Sequence, residues 1–158
     1  MIENGAEAIL ICSRTNTYRL SKEHRMRSLD LADLGEFIKR KADEASSSQS
    51  RICLHEGDGD AVQMMMIYHA IDHPARLHVH NTKTEYIQLI EGAMTLKFYG
   101  DDGRISKMVK MGDNRSNQMN PSICVVPDGV VHSVHIDEDC IFMETSAGPF
   151  GPNSTEFI

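Results

Sequence analysis

From residue 51 onward, turn-forming residues cut the chain into short β-rich segments, and this punctuation constrains the fold more than any other feature. The breaks fall at Gly57-Asp58-Gly59, Pro74, Glu91-Gly92, Asp101-Asp102-Gly103, Gly112-Asp113, Pro127-Asp128-Gly129 and Gly148-Pro149. About eight strands at this spacing, with no second helix, predict a small barrel or sandwich. Residues 93–100 and 104–111 flank Asp102-Gly103, a dipeptide suited to the positive φ angles of a hairpin turn. A single helix is expected before this region, over residues 29–45. Leu31, Leu34, Ile38, Ala42 and Ala45 recur at helical spacing. Asp30 serves as N-cap, and Lys39-Arg40-Lys41 lie toward the negative end of the dipole. Ser46 to Ser50 read as a polar linker.

Ahead of the helix, residues 1–28 carry Arg14, Arg19, Lys22, Arg25 and Arg27 against Glu3, Glu7 and Glu23, in a chain whose net charge is −7. A solvated arm is the reading of that local excess, while Ala6 to Cys12 fits a strand or a helical turn. The acidic total argues against nucleic acid and anionic membranes as partners, since both select basic surfaces. Apolar residues make up 41% of the 158 residues, as in globular domains. No apolar run approaches the ~18 residues of a spanning helix, and the start lacks the basic region of a signal peptide, so the expected location is cytoplasmic. Cys12, Cys53, Cys124 and Cys140 form no CxxC pair and are expected as free thiols.

Chemistry concentrates at His78-Val79-His80. In a strand, residues two apart share a face, so both imidazoles project together. Glu85 shares its face with the apolar Ile87 and Leu89, where a carboxylate is costly to bury without a cation. Glu91-Gly92 then turns the chain toward the apolar face of Met94, Leu96 and Phe98. Some fifty residues on, His132 shares a face with Val134 and Ile136, launched by the turn at Pro127-Asp128-Gly129. Three imidazoles and a carboxylate in one small barrel would suit a divalent first-row ion, with positions left open for water or substrate. Met64-Met65-Met66 alternates across two faces of a strand and reads as core filler or a dimer surface.

His78, His80, Glu85 and Gly92 spell HxH(x)4E(x)6G, and Pro127, Gly129 and His132 spell PxGxxH. The pair resembles the two signature motifs of the cupins. The resemblance implies an all-β cupin fold, a double-stranded β-helix or jelly-roll barrel, with a short N-terminal α-helical extension. It implies His78, His80, Glu85 and His132 as ligands of one divalent metal ion per chain, drawn from Fe2+, Zn2+, Mn2+ and Ni2+. The second motif departs from the family pattern at Pro121 and Ile136, neither a ligand position. The expected division is an arm and helix over 1–50, packed on a metal-binding barrel over 51–158.

From residue 29 the chain is also similar to the WbuC-type cupin metalloproteins. This likeness is carried by Arg51 to His55, Asp60 to Gln63, Thr84-Glu85-Tyr86, Asp101 to Arg104, Glu144 to Phe150 and Thr155-Glu156-Phe157. It implies a role in bacterial surface-polysaccharide (O-antigen-like) biosynthesis on a sugar or nucleotide-sugar, where the Lewis acidity of an open metal position would favour isomerisation, epimerisation or hydrolysis. It also implies a homodimer. An Fe(II)-dependent dioxygenase and a non-catalytic ligand-binding or sensing cupin are the alternatives, because this fold hosts many functions. Gln63, His69, Arg51, His55 and Glu144 are the candidate substrate-pocket residues.

Overall fold

The computed structural model describes residues 9–11, 16–20, 29–112, 120–151 and 154–158. Ten strands and one helix follow in order: β1 (Ile9–Ile11), β2 (Thr17–Leu20), α1 (Leu31–Glu44), β3 (Gln49–Cys53), β4 (Val62–His69), β5 (His78–Val79), β6 (Glu85–Tyr99), β7 (Ile105–Gly112), β8 (Ile123–Val126), β9 (His132–Ala147) and β10 (Glu156–Phe157). Residues from 49 onward therefore form the expected all-β jelly roll. The two long strands, β6 and β9, are its spine and pair antiparallel from Glu85↔Ser146 to Phe98↔His132.

The spine bends once. Its register shifts at Glu91 to Ala93, opposite Glu138 to Ile141, dividing each long strand between two partners. The first half of β6 pairs with β8 and the second with β7. The second half of β9 pairs with β4, while its first residue, His132, pairs with His78 of β5. Glu91-Gly92, expected as a turn, is thus a bulge inside a continuous strand. A glycine with φ +83 suits either, and only the distant pairing partner decides between them.

Both faces of the β3–β4–β9 sheet are covered. Outward, Ile52, Met66, Tyr68, Ile141 and Met143 pack beneath Leu34, Ile38 and Ala42 of the helix. Inward, Ile67, Ile87, Leu89, Met94, Leu96 and Phe142 belong to the larger core cluster. Strand β4 reads as a nearly continuous apolar run for this reason. The N-cap is as expected, with Asp30 Oδ1 accepting from the Ala32 amide at 2.8 Å. Leu31 and Ala45, expected on the apolar face, are exposed, at the first position of the helix and at its C-cap. The polar linker is shorter than expected, since Gln49 and Ser50 already belong to β3.

The opening segment departs most from expectation. Rather than a solvated arm alone, it supplies β1 and β2, with β2 running parallel to β3 and Thr17 buried. Arg14, Lys22, Arg25 and Arg27 lie outside the described residues. Cys53, Cys124 and Cys140 are free and buried, and Cys12 is outside the described residues. No described helix is long and apolar enough to cross a membrane.

Candidate metal centre

Three strands deliver the cluster. His78 opens β5 and His80 follows its end, Glu85 opens β6, and His132 opens β9. One ligand atom from each of the four lies within 4.8 Å of all the others. His80, Glu85 and His132 are buried, and His78 is half-buried. The turn ahead of His132 is tied to the first motif, with the Gly129 amide donating to the His80 carbonyl at 2.8 Å.

The imidazoles are oriented from behind. Nδ1–H of His78 donates to the Arg76 carbonyl, that of His80 to the Ser154 carbonyl and that of His132 to the Val130 carbonyl, each at 2.9 Å. A carbonyl can only accept, so each ring carries its proton on Nδ1 and turns the Nε2 lone pair toward the other ligands. This is the outer-shell arrangement that fixes the tautomer of a metal-binding histidine.

Nε2 of His80 lies 2.9 Å from Glu85 Oε1, and Nε2 of His132 lies 3.7 Å from Oε2. Two lone pairs that close require a cation, either a proton or a metal ion. His132 Nε2 is buried with no hydrogen-bond partner, a cost of about 1–3 kcal/mol that a metal bond would remove. Buried, converging, unprotonated nitrogen beside carboxylate is the donor set of a first-row divalent ion. The residues present therefore fit a metal.

Burial pushes the Glu85 carboxyl upward, but the adjacent His132 and His80 rings, which can donate to it only in their protonated forms, and the Lys83 charge outweigh it, and the group stays well below the carboxylate range. Burial lowers His80, yet the attraction of its protonated form to Glu85 raises it overall. His78 is lowered, by burial above all. Lys83 Nζ stands 3.4 Å from Glu85 Oε1, its side chain only 10% exposed, and sequence reasoning missed it because a lone lysine ordinarily signals a wet surface.

The cluster opens into a cavity of about 430 Å³. Register places Gln63, Ser146 and Glu85 in one row across β4, β9 and β6, and Met65, Glu144 and Ile87 in the next. Arg51, His55, Gln63, His69 and Glu144 all line this cavity with the four metal-site residues. Gln63 Nε2 is committed to the loop before β4, donating to the carbonyls of Gly57, Asp58 and Asp60. His55 Nδ1 is engaged by the Met64 backbone. Burial raises Glu144 first, and the charge of Glu85 raises it further.

His69 stacks on His73, with ring centroids 3.8 Å apart, and is pushed down to about 3, mainly by burial. A histidine kept neutral in the fold but free to charge when unfolded stabilises the native state above its ordinary pKa of 6.5. That stability is lost as pH falls from 6.5 toward 3, roughly 3 to 5 kcal/mol from this group. Glu144 acts in the opposite sense, favouring the fold below the ordinary carboxylate range and losing that contribution as pH rises. Urea midpoints are expected to fall between pH 7 and pH 4, and His69→Phe, which keeps the ring stack, should flatten the fall. An equally steep fall in the variant would remove His69 from this account.

Fold and site together define an all-β jelly roll, the fold that the cupin resemblance implies, with a largely buried His-His-Glu-His group that could hold a metal. The chain belongs to the family described as Domain of unknown function (DUF6016), whose model matches residues 31–111. No curated protein matches the sequence. Protein NMB1881 from Neisseria meningitidis superposes with a TM-score of 0.53 at 16% identity, covering 77% of this chain and 100% of that one. Protein SO0799 from Shewanella oneidensis gives 0.52 at 10% identity, covering 66% of each. A mutant of the Bacillus subtilis oxalate decarboxylase OxdC gives 0.49 at 20% identity over 63% of this chain, which spans 24% of that enzyme. At these identities the likeness is one of fold.

Proposed function

We propose that this chain is a metal-dependent enzyme acting on a small sugar or sugar derivative, with bacterial surface-polysaccharide biosynthesis as its setting. The observation that carries the reading is the convergence of three Nδ1-anchored imidazoles and Glu85 at the wall of a cavity. The polysaccharide setting rests on the resemblance of Arg51 to His55, Thr84 to Tyr86 and Glu144 to Phe150 to the WbuC-type proteins. His78, His80, Glu85 and His132 would hold one divalent ion. Such an ion supplies Lewis acidity toward a carbonyl or hydroxyl oxygen of the bound molecule.

The chain's own groups do the rest. Lys83 holds a positive charge beside Glu85 and keeps that carboxylate ionised. Glu144, raised by burial and by the Glu85 charge, sits in the cavity wall as a carboxyl able to give or take a proton near neutral pH. The apolar side chains of Ile67, Ile87 and Phe142 form wall between these polar groups and thin the water around the reacting atoms.

Metal-loaded protein incubated in D2O with a panel of aldoses, ketoses and uronates tests the reading by NMR, beside an oxygen electrode. The expected result is deuterium incorporation or an isomeric product without oxygen uptake, reduced at least about 100-fold by Glu144→Gln. Oxygen uptake matched to product would establish a dioxygenase instead. Ligand-dependent thermal stabilisation without turnover would establish a binding protein.

A further inference from the structure

We infer that the part of the cavity around Arg51 is an oxyanion subsite, taking a carboxylate or phosphate of a monosaccharide-sized molecule whose other end reaches the metal group. This rests on the proposed function and narrows it to an anionic substrate.

Arg51 lines the cavity from β3 and is half-buried. Across the sheet it lies between Thr17 on β2 and Ile67 on β4, with Phe142 of β9 beyond Ile67, so the side toward the core is apolar. Among the described residues its guanidinium makes no ion pair and one hydrogen bond, a long one of 3.4 Å from Nη2 to Gln49 Oε1. A guanidinium over an apolar floor is costly to desolvate unless an anion meets it, and its planar fork matches carboxylate and phosphate alike.

The other cavity carboxylates are engaged or unsuited. Glu85 is held by His80, Lys83 and His132, and Asp58 pairs with Arg19 at 2.9 Å. Glu144 is raised by burial and by Glu85 although the Arg51 charge acts on it in the other direction, and the two form no ion pair. Besides Arg19 and Lys83, which pair with Asp58 and Glu85, Arg76 adds a further cation to the lining, set 5.8 Å from the Phe157 ring centroid. His69, also in the lining, has a buried Nδ1 without a partner, and its pKa and that of His73 are lowered in part by the Arg51 charge, which places the guanidinium near both rings. A divalent ion at the cluster would leave the cavity more positive still. Its volume of about 430 Å³ lies in the lower half of the small-molecule range, suiting a single acidic or phosphorylated sugar.

Calorimetric titration of the full chain with glucuronate, glucose 6-phosphate and glucose, run metal-loaded and metal-free, tests this. One or both anions should bind at least about tenfold tighter than glucose, and Arg51→Gln should remove that preference while metal content stays unchanged. Arg51→Lys, which keeps the charge and loses the fork, should fall between. Whichever anion loses more on Arg51→Gln identifies carboxylate or phosphate as the group held. Anion preference retained in Arg51→Gln, or no preference in a wild-type chain that holds metal, would overturn the subsite and leave the metal centre standing. A chain that holds no metal yet shows the Arg51-dependent preference would overturn the metal reading and keep the subsite.

Discussion

Replacing His132 with alanine is expected to weaken metal affinity by more than about 100-fold, since loss of outer-shell partners alone costs about 10- to 100-fold. His132 is wholly buried, is held by the Val130 carbonyl, and offers Nε2 to nothing but the cluster. Its removal leaves His78, His80 and Glu85 with an open side. The control is His135→Ala, three residues along the same strand. His135 pairs across from Thr95 and belongs to no metal-binding group among the described residues. Competition with a chelating dye gives both affinities. Equal affinity in the two variants would place the metal elsewhere. Comparing the melting of metal-free proteins separates loss of a ligand from loss of packing, because the alanine also leaves a cavity.

Gly92→Ala is expected to destabilise the fold by about 4 kcal/mol or more, enough to unfold a domain of ordinary stability. Two effects combine. The residue has φ +83, where a side chain costs about 1–2 kcal/mol. A Cβ there would also collide with the Asp139 carbonyl oxygen and approach Cys140 Cα to 2.8 Å, both backbone of β9 and therefore unable to yield. Gly103→Ala provides the contrast, with φ +73 but nothing within 4 Å of the added carbon. It should lose about 1–2 kcal/mol only. Similar urea midpoints for the two variants would mean that the bulge does not need the close approach of β6 to β9.

Local chemistry made much of this molecule legible in the sequence. Asp30 marks the helix start because its carboxylate satisfies amides that nothing else reaches. Asp102-Gly103 marks the β6–β7 hairpin, although the loop is longer than two residues, with the Gly100 amide meeting the Arg104 carbonyl. His78, His80, Glu85 and His132 stand out by their spacing, which puts His78, Glu85 and His132 at strand starts and His80 just past β5, where the structure brings them together. What stayed hidden depends on partners distant in sequence. Glu91-Gly92 signals turn and bulge equally, and only β9 decides. The parallel pairing of β2 with β3 has no adjoining turn to announce it. Arg51 could be placed on a strand, but its lack of an ion-pair partner becomes visible only once β2, β3, β4 and β9 are laid side by side.

Elemental analysis of untagged protein, purified without added metal or chelator and then reconstituted with single divalent ions, tests the central claim most directly. The account predicts about one ion per chain, of a first-row metal. No metal as purified and none taken up on reconstitution would contradict it, and would leave the convergence of His78, His80, Glu85 and His132 without a chemical purpose.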